Sequence, residues 1–275
     1  MDTLEAQVLQ TVYGWDVWVL LASIVLIWLA ESIWPIHPER TLMARVRHFG
    51  VNLSMWIGVI VVLSLMFGNV TQNAGLVSAH LGIGLFNLLE FPFWLKAVLG
   101  FVILDFGDFL FHRLSHNVRW MWLLHSVHHS DTQIDTSTIL RNHPLHFVVI
   151  LACKIVVIVA FGIPFVVMIL RDIAWLPLAT LHHAAIRIPT RVDRALRHVF
   201  VTPSMHRLHH SPNAEYTNCN YGSVFSLWDR LYGSYRNPEE APRQPYGLSA
   251  LSAPSWQSFW GLLKMPFAAR KLPKL

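Results

Sequence analysis

Residues 112–129 read HRLSHNVRWMWLLHSVHH, and five of these residues are histidines. A second stretch, residues 206–210, reads HRLHH and repeats the HxxHH spacing of residues 125–129. On an α-helix, positions i, i+3 and i+4 share one face, so each HxxHH box is expected to project three imidazoles in one direction. Together the three boxes present eight histidines, which are His112, His116, His125, His128, His129, His206, His209 and His210.

The histidines are concentrated in the middle of the chain. Residues 112–210 contain thirteen of the sixteen histidines, whereas an even spread would place about six there. Imidazole nitrogen is a good ligand for zinc, copper, iron and nickel. Because eight nitrogens are too many for one ion, the pattern predicts a site for two metal ions.

Other residues near the boxes are candidates for the same site. Asp105 and Asp108 lie seven and four residues before His112, on the same helical face. Metal-binding histidines commonly donate their second N–H to a carboxylate, so we expect both aspartates to orient imidazoles. His183 is expected to complete the ligand set. His143 and His182 are further candidate ligands.

The composition is that of a multi-pass membrane protein. Hydrophobic residues make up 54% of the 275 residues, charged residues only 13%, and the mean hydropathy is +0.43. A soluble domain usually carries about 25% charged residues. We therefore expect a single all-α domain over residues 1–275, a membrane helical bundle of four to five spans that are each long enough to cross about 30 Å of hydrocarbon. The expected spans are residues 16–36, 51–70, 91–111, 145–161 and 164–181.

Cysteine and charge exclude two other classes. Cys153 and Cys219 are the only cysteines and neither lies in a CxxC motif, which excludes a disulfide or zinc-thiolate framework. The net charge of +5 lies largely outside the apolar runs. In a membrane protein such charge indicates contact with lipid headgroups and sets the topology, so no nucleic-acid partner is expected.

The distribution of basic residues predicts the orientation. The loop at 37–48 and the segment after residue 111 carry arginines, whereas residues 71–90 contain no lysine or arginine. By the positive-inside rule the boxes face the cytosol, which in a bacterium places the protein in the inner membrane. Segments 112–144 and 182–236 are then a cytosolic, histidine-rich helical cap, and residues 237–275 form a basic tail.

The last two spans are expected to form a tight hairpin around Gly162-Ile163-Pro164. Lys154 lies eight residues before Gly162, and Asp172 lies ten residues after it. The two charged residues should therefore reach a similar depth. We predict that Lys154 pairs with Asp172, with Arg171 competing for the same carboxylate.

The order of the boxes resembles that of the fatty acid hydroxylase/sterol desaturase superfamily. Thr202-Pro203 before the last box, and Asn220-Tyr221-Gly222 and Trp228-Asp229-Arg230 after it, also resemble this family. The resemblance covers about residues 100–236. It implies ligand roles for the eight box histidines and His183, and it matches Asp105 to a family aspartate. Asp108 has no such match, and Ala185 stands where family members often have asparagine.

The resemblance also implies an activity. Such proteins are integral-membrane di-iron oxygenases that use O2 to hydroxylate or desaturate a lipid, here a sterol, a fatty acyl chain or an ether lipid. Two iron ions are expected, with zinc able to replace them in purified protein. The lipid should enter from the bilayer between the third to fifth spans. The chain contains no haem, flavin or iron–sulfur motif, so a separate protein must supply electrons. We expect this electron donor to be acidic and to bind a basic surface of the chain. That surface is formed by Arg119, Arg191, Arg194 and Arg207.

Two other functions stay open at this point. A membrane zinc hydrolase can use the same ligands, although position 113 is arginine where an HExxH protease has its glutamate base. A non-catalytic metal-binding protein or transporter is the other alternative. A transporter would distribute histidines and carboxylates through several spans, whereas the boxes here sit at the ends of spans.

Overall fold

A computed structural model describes residues 3–68, 70–89, 91–240 and 245–271. These residues form helices and loops but no strand, and two isolated β-bridges join Pro35 to Ile186 and Phe200 to Phe225. Short 3-10 turns lie at Thr136–Leu140 and Ser249–Leu251. The helices are α1 (Thr3–Val12), α2 (Trp15–Ile33), α3 (Leu42–Met66), α4 (Val70–His80), α5 (Leu85–Leu88), α6 (Phe93–Asn117), α7 (Arg119–His129), α8 (Pro144–Phe161), α9 (Phe165–His183), α10 (Thr190–Leu196), α11 (Pro203–His209), α12 (Ala214–Thr217), α13 (Leu227–Leu231) and α14 (Phe259–Ala269).

Four of the described helices, α2, α3, α8 and α9, are long and apolar enough to cross a membrane. Only 17% of the apolar window is buried in α2, α3 and α8, whereas 44% is buried in α9. The outer helices expose large apolar side chains such as Leu26 and Leu65, which are 66% and 82% exposed. Such an apolar outer surface fits a protein surrounded by lipid, with α9 as the innermost of the four helices.

The predicted third span, residues 91–111, is helical but is not among the four apolar helices. Helix α6 carries four charged residues, Lys96, Asp105, Asp108 and Arg113. It continues without a break to Asn117. The first histidine box therefore lies on the same rigid helix as the apolar run, which fixes its direction relative to the bundle.

The predicted second span, residues 51–70, begins nine residues earlier than expected. The Thr41 side chain caps α3 by accepting a hydrogen bond from Ala44 N at 3.2 Å, which stabilises a helix start at Leu42. Arg45, Arg47 and His48, which were expected in a loop, therefore lie in the first turns of α3.

Residues 71–90 and the predicted basic tail also contain helices. Residues 71–90 include most of α4 and all of α5, and residues 237–275 include α14. Glu90, residues 241–244 and residues 272–275, with Lys274 of the predicted basic tail, lie outside the described residues. Leu262 and Met265 of α14 pack against α7 and α3, so this helix covers one side of the second histidine box.

The hairpin between α8 and α9 is confirmed. Gly162 ends α8 in the left-handed conformation with a φ of 66°, which glycine adopts without strain. The backbone at Gly84 crosses this turn so closely that an added Cβ would lie 2.3 Å from the nitrogen of Gly162. Lys154 Nζ lies 3.6 Å from Asp172 Oδ2, and Arg171 donates to Asp172 Oδ1 at 3.0 Å. Both predicted partners of Asp172 are therefore present.

Several helix ends meet at the end of the bundle that carries the boxes. Glu31 on the last turns of α2 accepts from Thr136 N at 2.8 Å and from Ala185 N at 2.7 Å. Asn52 on α3 donates to Ser137 Oγ at 2.9 Å. The 3-10 turn after α7 therefore joins the end of α2, the start of α3 and the segment that follows α9.

Candidate metal centre

The eight box histidines and His183 gather at one end of the bundle in two groups. Within each group, the ligand nitrogens all lie within 4.8 Å of one another. No cysteine or carboxylate of the described residues belongs to either group. The first group is His112, His116, His125, His129 and His209, and the second group is His128, His183, His206 and His210.

Each HxxHH box supplies both groups. In α7, His125 and His129 belong to the first group, and His128 belongs to the second. Neighbouring residues on a helix point about 100° apart, so adjacent histidines face different metals. The box after α10 divides in the same way, with His209 in the first group and its two partners in the second. The expectation that a box points all three imidazoles at one place was wrong, and the division brings the two groups side by side.

In the first group, main-chain carbonyls fix the protonation of two imidazoles. Nδ1 of His112 lies 2.9 Å from Tyr221 O, and Nδ1 of His209 lies 2.7 Å from Cys219 O. A carbonyl only accepts, so the proton of each neutral ring is on Nδ1 and its Nε2 carries a lone pair. These two Nε2 atoms are 3.0 Å apart. Two lone pairs repel at this distance unless a cation lies between them.

The second group repeats this arrangement. Nδ1 of His183 lies 2.9 Å from Ala179 O, and Nδ1 of His128 lies 3.2 Å from Arg141 O. Their Nε2 atoms are 3.1 Å apart, and that of His183 is also 2.8 Å from Nε2 of His206. The same argument therefore calls for a second cation.

The distances fit ligands around an ion. With metal–nitrogen bonds of about 2.0–2.1 Å, two ligands 90° apart lie about 2.9 Å from each other, and tetrahedral ligands lie about 3.4 Å apart. The closest Nε2–Nε2 distances in the two groups are 2.8–3.2 Å. Both ring nitrogens of His116 and of His129 are buried and make no hydrogen bond. Buried polar atoms without a partner are uncommon, and a metal ion accounts for them.

Burial keeps these imidazoles neutral. It lowers the pKa of each histidine in α7 and in the last box well below the ordinary value of 6.5, and neighbouring imidazoles lower it further. The neutral ring is the form that binds a metal. The geometry and the charge state therefore both favour metal binding.

The loop after the last box holds the carbonyls of the first group in place. Asp229 accepts from Tyr221 N at 2.8 Å, from Gly222 N at 2.7 Å and from Ser234 Oγ at 2.7 Å. Gly222 is needed because an added Cβ would lie 2.7 Å from Phe225 O. The NYG and WDR motifs thus position acceptors for metal-binding histidines.

Asp105 does not contact an imidazole, contrary to expectation. It lies about two turns, roughly 10 Å, along α6 from His112. Its carboxylate accepts from Val224 N at 2.8 Å and from Trp228 Nε1 at 2.7 Å, so it binds the same loop as Asp229. Asp105 therefore supports the metal centre only through this loop.

Asp108 also has a different partner from the expected one. It forms an ion pair with Arg171 of α9. The Nδ1 of His112 is already bound to a main-chain carbonyl, which leaves no N–H for Asp108. The prediction that carboxylates orient the imidazoles was wrong for both aspartates, because carbonyl oxygens take this role.

The two further candidate ligands lie outside both groups. His143 caps α8, where its Nδ1 accepts from Leu145 N at 3.2 Å, and its Nε2 lies 3.3 Å from Leu263 O. His182 is buried, and its ring centre is 5.8 Å from that of His206.

Sequence reasoning did not identify His48 and His146 as part of this region. His48 binds Asp131 Oδ1 through Nε2 and Asp135 Oδ2 through Nδ1, both at 2.9 Å. His146 is buried, and its ring centre is 4.8 Å from that of His125. The aspartates are 83 and 87 residues from His48 in the chain, so no local pattern predicts this network.

Comparisons with known proteins agree with this geometry. A family model described as fatty acid hydroxylase matches residues 97–234, half of the chain. Ornithine lipid hydroxylase OlsE of Rhizobium tropici is 28% identical over 66% of this chain and 53% of its own length. Human alkylglycerol monooxygenase is 32% identical over 60% of this chain and 35% of its own length, and the Caenorhabditis elegans enzyme is 30% identical over 59% and 32%.

The chain thus spans about half the length, or less, of these relatives. No solved structure matches it. The matched residues, 97–234, contain all nine clustered histidines. The histidine boxes, their arrangement and the family match together show that this chain belongs to the fatty acid hydroxylase family.

Proposed function

We propose that this protein is a membrane-bound, O2-dependent lipid hydroxylase with a pair of iron ions. The observation that carries this proposal is the presence of two adjacent groups of buried imidazoles whose bare nitrogens face each other at 2.8–3.2 Å. The relatives named as lipid hydroxylase and alkylglycerol monooxygenase support the same reaction class. We propose hydroxylation as the reaction, with desaturation as the alternative.

The nine clustered histidines are proposed as the metal ligands, five for one ion and four for the other. When bound, the two iron ions supply the redox chemistry that reduces O2 and oxidises an unactivated C–H bond. The protein holds the proton of His112 and His209 on Nδ1 through the carbonyls of Tyr221 and Cys219, so that Nε2 stays free to bind metal. Zinc binds such nitrogens at least as tightly as iron(II), and therefore zinc in purified protein does not identify the native metal.

We propose that residues 1–275 are one domain and that the metal centre faces the cytosol. Arg40, Arg45 and Arg47 lie at the same end of the bundle as the histidines. Arginines close to the ends of membrane spans favour the cytosolic side. Residues 112–144 and 182–236 then form the cytosolic cap.

A lipid chain has a route from the bilayer between α6 and α8. A cavity of about 30 Å³ lies there, and its wall contains apolar residues such as Leu104, Phe111 and Ile150 together with the charged residues Asp108 and Lys154. One turn further along these helices, Ser115 and His146 approach each other at 3.4 Å, and the ring of His146 packs on that of His125. We propose that the lipid chain enters here and approaches the first group of histidines.

Electrons are proposed to come from a separate acidic protein. Arg191 and Arg194 of α10 are exposed and lie on the chain between the last membrane helix and the last box. Arg207 was expected on this surface, but it is half-buried and donates to Ala184 O at 2.8 Å. The docking surface is therefore smaller than the sequence predicted, and α10 is its centre.

The two alternatives fit the site less well. A zinc hydrolase needs a general base beside the metal, and neither group contains a carboxylate in the described part of the chain. A transporter needs polar groups along a path across the membrane, whereas both groups lie at one end of the bundle.

Counting metals per chain tests the proposal. We expect about two metals per chain in protein grown with added iron. The double variant His128→Ala, His209→Ala should lose both, and the exposed control His198→Ala should keep both. Iron-loaded protein supplied with a reductant should then yield O2-dependent lipid products. One metal or none in the wild type, unchanged in the double variant, would contradict a dinuclear centre.

A further inference from the structure

A charged cavity lies beside the metal centre, outside both histidine groups. Its volume is about 110 Å³. This is several times the roughly 30 Å³ that a water molecule occupies in the liquid, so the cavity can hold a group of several atoms. The charged and polar residues of its wall come from the end of α2, the following loop, the start of α3 and the 3-10 turn, and they are Glu31, Ser32, His37, Arg40, Arg45 and Asp135.

The cavity adjoins the second group of histidines through the main chain. Ala185 lines the cavity and follows the candidate ligand His183 by two residues. Ile36 N donates to Ala185 O at 2.8 Å, and Ala185 N donates to Glu31. One short segment therefore carries both a ligand of the metal centre and a wall of the cavity.

The cavity contains two guanidinium groups with donors to spare. Arg45 donates to Ser32 Oγ at 2.7 Å, to Trp28 O at 3.1 Å and to Glu31 Oε2 at 3.4 Å. Arg40 donates to Gln133 O at 3.2 Å, to Gln133 Oε1 at 2.9 Å and to Asp135 Oδ2 at 3.1 Å. A guanidinium group has five N–H donors, so three hydrogen bonds leave two N–H groups on each arginine for a further acceptor. Nε of Arg40 is buried and has no hydrogen-bond partner among the described residues.

The same cavity contains one carboxylate oxygen with capacity to accept. Oε1 of Glu31 accepts two main-chain N–H groups, whereas Oε2 has only the long contact to Arg45. Asp135 is different, because its oxygens already accept from Arg40, Ser137 and His48. Glu31 is therefore the acceptor that can bind a cationic group.

We infer that this cavity binds a zwitterionic lipid headgroup, with its anionic oxygens against Arg40 and Arg45 and its ammonium group against Glu31. This inference rests on the proposed function, because the lipid would be the substrate. A simple anion would be repelled by the carboxylates, and a simple cation by the guanidinium groups. A headgroup that carries both charges can place each beside its opposite. The cavity follows the end of an apolar helix, which is the level of the membrane where lipid headgroups lie.

Lipid binding without turnover tests this inference. Metal-loaded protein in detergent, without reductant, is titrated by native mass spectrometry with three dioctanoyl lipids: phosphatidylethanolamine, phosphatidylglycerol and diacylglycerol. We expect the wild type to bind phosphatidylethanolamine at least tenfold more tightly than the other two lipids. The soluble headgroup glycerophosphoethanolamine should bind at least tenfold more weakly than the lipid.

Variants separate the two charges. Glu31→Gln keeps an oxygen for the main-chain N–H groups but removes the negative charge, so it should lose the preference for phosphatidylethanolamine over phosphatidylglycerol. Arg45→Gln should lose the preference for phosphatidylethanolamine over diacylglycerol. Arg47→Gln, an exposed arginine two residues further on, is the matched control and should bind as the wild type does. Metal content shows that each variant is folded, and Ser32→Phe is a second way to abolish binding, because it fills the cavity without removing a charge.

Equal binding of the three lipids by the wild type would refute the inference, as would a loss of preference in Arg47→Gln as large as that in Arg45→Gln. Equal affinity for the soluble headgroup would also refute it, because the site would then recognise a soluble zwitterion rather than a lipid. A clear headgroup preference in a protein that oxidises no lipid would refute the proposed function and leave this inference standing. Lipid oxidation that ignores the headgroup would refute this inference alone.

Discussion

Replacing Asp229 by asparagine tests whether the loop after the last box controls metal binding. The two carboxylate oxygens of Asp229 accept from Tyr221 N, Gly222 N and Ser234 Oγ. Asparagine has only one such oxygen, so at least one buried N–H or O–H loses its acceptor and faces an NH2 group. Leaving a buried donor unsatisfied costs about 1–3 kcal/mol. A loss of about 2 kcal/mol should lower the melting temperature by about 4–8 °C in a chain of this size.

The change should also weaken metal binding, because Tyr221 O would no longer be held against Nδ1 of His112. Loss of such an outer hydrogen bond typically costs 10–100-fold in metal affinity. The assay is metal content after dialysis against a graded series of chelator concentrations, with melting curves on the same samples. Glu215→Gln, an exposed carboxylate on the same stretch, is the control and should match the wild type. If Asp229→Asn kept both metals at every chelator concentration, the loop would not act on the centre.

Three further predictions follow from the bundle. The variant Asp172→Leu leaves Lys154 without its counter-ion. The double variant Lys154→Met, Asp172→Leu should therefore melt at a higher temperature than Asp172→Leu alone. Losses of melting temperature that simply add in the double variant would contradict the pair. Burial lowers the pKa of the α7 and last-box histidines below 6.5 only in the folded chain, so below pH 6.5 the unfolded chain binds more protons. The free energy of unfolding of metal-free protein should therefore fall by up to about 1.4 kcal/mol per pH unit per histidine as the pH is lowered below 6.5. Melting curves from pH 8 to pH 5 measure this loss, and a flat profile would contradict it. Gly84→Ala should prevent closure of the α8–α9 turn and lower the yield of folded protein, whereas Gly82→Ala, also at positive φ but with open space around it, should be milder; equal yields would contradict the close contact.

The features that were predicted from sequence rest on short-range periodicity. A spacing of three and four residues places His125, His128 and His129 on the inner side of one helix whatever the rest of the chain does. Apolar runs and the Gly162 turn likewise follow from local chemistry, and equal depth in the hairpin then brings Lys154 to Asp172. The allocation of each histidine to one of two groups could not be predicted, because it depends on how α6, α7, α9 and α11 approach each other.

The errors concern contacts between distant parts of the chain. Asp105 and Asp108 share a helical face with His112, but helical spacing does not reveal that Arg171 and the loop at 221–228 offer better partners. A main-chain carbonyl acceptor cannot be recognised from the sequence, because every residue has a main-chain carbonyl. The NYG and WDR motifs were noticed through a family resemblance, and only the structure gives their physical role, which is to hold two such carbonyls.

Helix α14 has a consequence for the order of events during biosynthesis. It packs on α7 beside the second box, yet it begins about 50 residues after the last candidate ligand, His210. At about 5–20 residues per second, the ribosome needs about 3–10 s to make the intervening chain. During that interval the whole ligand set has been synthesised while one side of α7 has no cover. A nascent chain can therefore acquire its metals before the last helix closes over them, and the mature protein should exchange them far more slowly than it first took them up.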